Sequence, residues 1–195
     1  MPKIVKLHGC SGAGKTTAVR SFMLAASAVH EIVPDNLPDG KPNRSEKPEA
    51  YVCEFAGQGS HPVAILGSYK NNCGGMDSYA SDAASIVKLI EAYRQDCHVL
   101  FEGLLLSTYY GGVGKHLEQY GDDFIMAFMN TPVLVCLERV THRRDVQQSK
   151  NKFNPQLTID KYNTIERLKN KCKQNSRRVV DIEYDKEIGR ASCRE

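Results

Sequence analysis

Gly9-Cys10-Ser11-Gly12-Ala13-Gly14-Lys15-Thr16 decides how this chain is read. A short β-rich run, residues 3–8, precedes it. An amphipathic stretch, residues 15–28, follows, with Val19, Phe22, Met23 and Ala26 at i, i+3, i+4, i+7 spacing. The pattern is Gly-x4-Gly-Lys-Thr. Its glycines let the backbone curl around an anion with amide N–H groups pointing inward. Lys15 adds an ammonium against phosphate oxygens, and Thr16 adds a hydroxyl suited to Mg2+. The helix that follows, with Thr16 and Thr17 in its first turn, turns its positive end to the same anion. A β-rich run, a glycine loop and a helix in this order predict a nucleotide-phosphate cradle, the Walker A arrangement, over residues 9–17.

Working outward, β-rich or apolar runs at residues 51–55, 62–66, 98–101, 124–129 and 178–184 predict strands. Residues 81–94, 132–144 and 157–173 predict helices, and a short helix ends near Tyr120. Thr131 stands where an N-cap would, with Pro132 at the first helical position. Residues 33–49 carry four prolines and read as a surface loop. Gly57-Gln58-Gly59 and residues 71–75 read as turns, and Gly111-Gly112-Val113-Gly114 as a break. The alternation predicts an α/β domain: a parallel β-sheet flanked by helices on both faces, the P-loop NTPase/kinase fold. The chain's 195 residues suffice for one such domain, residues 1–186. Residues 187–195 read as the translation of a sequencing adapter and are set aside.

No apolar run reaches the ~20 residues that cross a bilayer, and the N-terminus shows no secretory pattern. The seven cysteines form no Cys-x-x-Cys pair. They predict free thiols in a reducing, cytoplasmic compartment. Charge is uneven: residues 1–138 hold 11 Lys/Arg against 15 Asp/Glu, and residues 139–178 hold 12 against 3. A basic segment of that density suits a polyanion, nucleotide or nucleic acid, and a solvated helix face is the competing reading.

In a parallel sheet, ligands sit beyond the C-terminal strand ends, so acids there are candidates. Glu102 closes the apolar run Val99-Leu100-Phe101, where it would hold Mg2+ through water or accept a proton. Glu54 ends the run Tyr51–Cys53; similarity to nucleoside and nucleotide kinases, many of which have an acid there, implies that it would meet a substrate hydroxyl. Asp77 follows the glycine turn Cys73-Gly74-Gly75-Met76; capping of the next helix competes for it. Arg139 and Arg143 share a helix face at i, i+4, and Arg144 adjoins them. With Lys150 and Lys152 they make a basic cluster for which surface salt-bridging is the competing reading; similarity to P-loop kinases implies that this region, about residues 139–156, is a lid whose arginines balance charge on a transferring phosphoryl group. Arg167, Lys169, Lys171, Lys173, Arg177 and Arg178 would extend a track for a nucleic acid backbone.

With these pieces in place the chain resembles the P-loop kinase superfamily over about residues 3–184. More narrowly, Leu66-Gly67-Ser68-Tyr69, residues 73–77 and Phe101-Glu102-Gly103-Leu104-Leu105 look like phage kinase-like proteins, among them the kinases that phosphorylate 5-hydroxymethyluracil within DNA. The resemblance implies ATP as donor and the base hydroxymethyl group as acceptor. A nucleoside or nucleotide acceptor stays open, as does a P-loop NTPase coupling ATP hydrolysis to a nucleic-acid or protein partner. The intact Lys15-Thr16 pair disfavours a non-catalytic sensor.

Overall fold

The computed structural model describes residues 1–57, 61–71, 74–79, 82–103, 112–148, 153–175 and 177–183. The sequence features at Gln58, Gly59, Cys73, Leu104, Leu105, Gly111, residues 150–152 and 187–195 lie outside those residues.

Seven strands form one mixed sheet. They are β1 (Ile4–His8), β2 (Ala28–Ile32), β3 (Ala50–Glu54), β4 (Val63–Leu66), β5 (His98–Glu102), β6 (Phe124–Asn130) and β7 (Val179–Glu183). Their order across the sheet is β2-β3-β4-β5-β1-β6-β7. β1 lies between β5 and β6 and is parallel to both, with Leu7 level with Glu102 and Ala127. β4 is parallel to β5, and β7 to β6. β3 is antiparallel to both β2 and β4. The expectation of an all-parallel sheet is corrected at this one strand: a short connection, residues 55–62, turns β3 directly back into β4, which a parallel pair does not permit.

Five helices lie among the described residues: α1 (Lys15–Leu24), α2 (Ala83–Tyr93), α3 (Val113–Leu117), α4 (Val133–Val146) and α5 (Pro155–Gln174). Two 3-10 turns, Met76–Ser78 and Glu118–Asp123, join them. α1 is shorter than expected. It stops at Leu24, and β2 takes the next residues as an edge strand whose side chains are mostly exposed. Asp82 caps α2 by accepting from the Ser85 N–H at 2.8 Å, so Asp77 is not its cap. α4 is capped by Pro132, not Thr131, and Thr131 has another task described below.

Core residues alternate along the strands into two clusters. Ile4, Phe101, Met126 and Phe128 gather with Ile86 and Ile90 of α2 and Ile165 and Cys172 of α5. Leu7, Ile65, Cys53 and Ala127 gather with Val19 of α1. The Lys6 amine is buried in the sheet, and burial lowers its pKa to about 8. Among the described residues, Cys10, Cys53, Cys97, Cys136 and Cys172 are free thiols, and no helix is long and apolar enough to cross a membrane.

Candidate functional site

The glycine loop connects the C-terminal end of β1 to α1. Two of its glycines use backbone that side chains disfavour: Gly12 at φ 80 and Gly14, the N-cap of α1, at φ 93. Gly12 has a second constraint. A Cβ there would lie 2.3 Å from the Cys136 carbonyl oxygen, so the first turns of α4 press directly on the loop. Thr131 and Arg139 tie that helix down: the Thr131 hydroxyl donates to the Ala13 carbonyl at 2.8 Å, and Arg139 Nη1 donates to the Gly12 carbonyl at 3.2 Å.

Lys15 folds back into the loop. Its Nζ donates to the Gly9 carbonyl at 2.8 Å and the Cys10 carbonyl at 3.2 Å, and it is 7% exposed. The Thr16 hydroxyl donates to Glu102 Oε1 at 2.8 Å, and Lys15 Nζ stands 3.9 Å from Glu102 Oε2. Three groups singled out in the sequence therefore meet across 86 residues of chain. Glu102 is 2% exposed. Burial is the leading influence and pushes its carboxyl pKa up, Lys15 and the Thr16 hydrogen bond pull it back, and the charge of Asp77 pushes it further up. Asp77, exposed on the 3-10 turn after Gly75, is thus within electrostatic reach of Glu102.

That turn and the segment before it are held by groups the sequence did not single out. Arg20, one helical turn beyond Thr16, donates to the Tyr69 carbonyl at 2.9 Å and the Asn71 carbonyl at 2.7 Å. The Ser78 hydroxyl donates to the Ser68 and Gly75 carbonyls. Glu49 accepts from the Tyr79 hydroxyl at 3.2 Å and the Tyr93 hydroxyl at 2.8 Å. Apart from the Ser78–Gly75 bond, their partners are 10–51 residues away, so no local pattern marks them. A Cβ on Gly75 would lie 2.8 Å from the Glu102 carbonyl oxygen, which is why a glycine stands there.

Glu54 is not in this group. β3 runs against its neighbours, so its C-terminal end lies at the opposite edge of the sheet, level with the start of β5. Five residues of strand separate the two levels, about 16 Å. There the Glu54 carbonyl accepts from Ser27, and the exposed carboxylate lies 3.6 Å from His30. Arg143 and Arg144 fall in the last turn of α4, with the Arg144 guanidinium 5.8 Å above the Phe153 ring. The basic track is largely engaged within the chain: Lys169 and Lys173 pair with Asp181, Arg177 with Glu118, and Arg178 donates to the Asp122 carbonyl. Arg167 and Lys171 are exposed.

The donor set suits a polyphosphate with a hard cation. An ammonium lies inside a glycine loop, and a hydroxyl and a carboxylate are paired beside it. Among the described residues no group of three or more His, Cys, Asp and Glu is placed to hold a metal. An ion here would draw its remaining ligands from water or phosphate, the habit of Mg2+.

A family model described as 5-hmdU DNA kinase matches residues 40–181. The chain belongs to the 5-hmdU DNA kinase family. It is 30% identical over 190 residues to a 5-hmdU DNA kinase of Pseudomonas phage M6, covering 94% of this chain and 92% of that one. A 5-hmdU DNA kinase of Pseudomonas phage PaMx11 is 30% identical over 162 residues, 82% of this chain and 79% of the relative. The 5-hmdU DNA kinase 1 of Salmonella phage ViI is 28% identical over 130 residues, 60% and 56% of the two chains. As a member of this family the protein is a phosphotransferase.

Proposed function

We propose that this protein transfers the γ-phosphoryl group of ATP to the hydroxymethyl oxygen of 5-hydroxymethyluracil in DNA. The observation that carries the reading is the convergence of Lys15, Thr16 and Glu102 at one sheet edge, in a chain whose phage relatives are named for that kinase. The architecture is then the P-loop kinase fold, a mostly parallel sheet with α1 on one face and α2, α3 and α5 on the other. The two alternating core clusters support this.

In this reading the loop amides of residues 9–14, with Thr17 in the first turn of α1, cradle the donor phosphates. Lys15 exchanges its two loop carbonyls for phosphate oxygens. Thr16 and Glu102 would hold Mg2+, which would neutralise charge on the phosphates. Asp77, exposed and within electrostatic reach of Glu102, orients the acceptor hydroxyl and takes its proton. Arg139, Arg143 and Arg144 form the base of a lid over residues 139–156 and balance charge developing in transfer. Exposed Arg167 and Lys171 provide phosphate contacts for the DNA.

The test uses γ-labelled ATP with duplexes containing 5-hydroxymethyluracil or thymine. Label should pass only to the first. Asp77→Asn should lower kcat by about 100-fold or more, the scale of general base catalysis, with nucleotide affinity little changed. Phosphate release with no label on DNA would replace this reading with an ATPase.

A further inference from the structure

Thr16 and Arg20 are i, i+4 neighbours on one face of α1, and each reaches a different part of the site. Thr16 donates to Glu102 at 2.8 Å. Arg20 Nη2 donates to the Tyr69 carbonyl at 2.9 Å and the Asn71 carbonyl at 2.7 Å. Both described hydrogen bonds of Arg20 therefore go to main-chain carbonyls, and its guanidinium holds backbone. The backbone it holds is folded against the turn that carries Asp77. Ser68, next to Tyr69, is 4% exposed, and its carbonyl accepts from the Gly75 N–H at 3.0 Å and the Ser78 hydroxyl at 2.9 Å. Those two donors flank Asp77, Gly75 two residues before it and Ser78 directly after. Close packing leaves this arrangement little slack. A Cβ on Gly67 would fall 2.4 Å from the Gly75 carbonyl carbon, and one on Gly74 would fall 2.4 Å from Tyr69 Cδ1.

A continuous path of hydrogen bonds and backbone contacts thus runs from Arg20, through Tyr69 and Ser68, to the residues on either side of Asp77. Four residues of helix set Thr16 and Arg20 about 6 Å apart along a rigid axis. We propose that Arg20 is a positioning residue for Asp77: by fastening residues 67–71 to α1 it registers the acceptor-side carboxylate against the donor-side pair Thr16 and Glu102. One helix then serves as the common reference for both halves of the transfer. A displacement of about 1 Å between reacting groups can cost about 100-fold in rate, so such a reference belongs to the chemical step and not to binding. Arginine suits the position because one nitrogen at the end of a long side chain serves two carbonyls. Lysine keeps the charge but ends one bond short of Nη2. The inference rests on the reading of Asp77 given above.

The experiment measures kcat and KM for labelled transfer, calorimetric affinity for ADP with Mg2+, and thermal unfolding, in Arg20→Lys, Asp77→Asn and the double variant. Arg20→Lys should lower kcat about tenfold, the effect of one hydrogen bond to a charged group. KM for DNA and ADP–Mg2+ affinity should stay within about twofold, since the glycine loop, Lys15 and Thr16 are untouched. The melting temperature should move little, because water can replace the guanidinium at the exposed Asn71 carbonyl. In the Asp77→Asn background the same substitution should lower kcat less than about twofold, because the group being positioned has lost its function. Losses that multiply in the double variant overturn the inference, and so does an Arg20→Lys kcat within twofold of wild type. A melting temperature several degrees lower with ADP affinity and kcat falling together marks a residue that merely holds the fold, and overturns it as well. A wild-type protein that passes no label to DNA, or an Asp77→Asn variant with full kcat, is a different result: it removes the reading of the site and this inference with it.

Discussion

Replacing Thr131 with valine changes one hydroxyl and almost nothing else, which makes it a sharp probe of how α4 is fastened to the glycine loop. Thr131 is 1% exposed, and its hydroxyl donates to the Ala13 carbonyl at 2.8 Å. Valine keeps the volume and leaves that buried carbonyl without this donor. The lost bond and the stranded acceptor together cost about 1–3 kcal/mol. For 195 residues, at about 2.1 cal/mol/K of unfolding entropy per residue, the melting temperature should fall about 2–7 °C. Ala13 belongs to the loop, so nucleotide affinity should fall as well. The sequence expectation for this residue, an N-cap, leads to the opposite ranking of substitutions. A cap would accept aspartate at least as well as threonine. A clamp that must donate to a carbonyl accepts serine and rejects aspartate, which cannot donate when ionised. Calorimetric scans of Thr131→Val, Thr131→Ser and Thr131→Asp decide between them. An aspartate variant as stable as wild type would refute the clamp.

Two further predictions concern the carboxylates. Glu54→Gln should leave kcat, KM and stability within about twofold and ±0.5 kcal/mol of wild type, since an exposed acid at the far sheet edge has no part in transfer; a large loss of turnover would mean the reversed β3 is wrong. Glu102→Gln should abolish transfer without destabilising the free protein. With its folded pKa raised, Glu102 contributes stability below the unfolded carboxylate value, about 4.3, and withdraws it as pH climbs through the folded value. The glutamine variant should lack that decline in melting temperature with pH.

The glycine loop was legible because its residues are constrained locally: each glycine, Lys15 and Thr16 has a role set by neighbours a few positions away. Glu102 was legible because a buried central strand shows as an apolar run with an acid at its end. Glu54 obeyed the same rule and misled. Strand direction leaves no mark on strand residues, and only the short β3–β4 connection hinted at the reversal. β2 was missed because an edge strand with mostly exposed side chains lacks the alternation of a half-buried one. The contacts of Arg20, Glu49 and Tyr69 were invisible because each depends on partners brought near by the finished sheet.

The reversal of β3 also has a meaning for descent. Because β2 runs with β1 and β3 against it, residues 33–49 turn back at the working edge of the sheet, closed at their base by the Glu49 N–H donating to the Ile32 carbonyl at 2.9 Å. Both ends of this segment are pinned by neighbouring strands, so its length is free of the sheet register. Doubling such a loop adds only about 0.6 kcal/mol of closure entropy. A lineage can therefore lengthen, shorten or exchange this segment, at the same end of the sheet as Lys15, Thr16 and Glu102, while those residues keep their places.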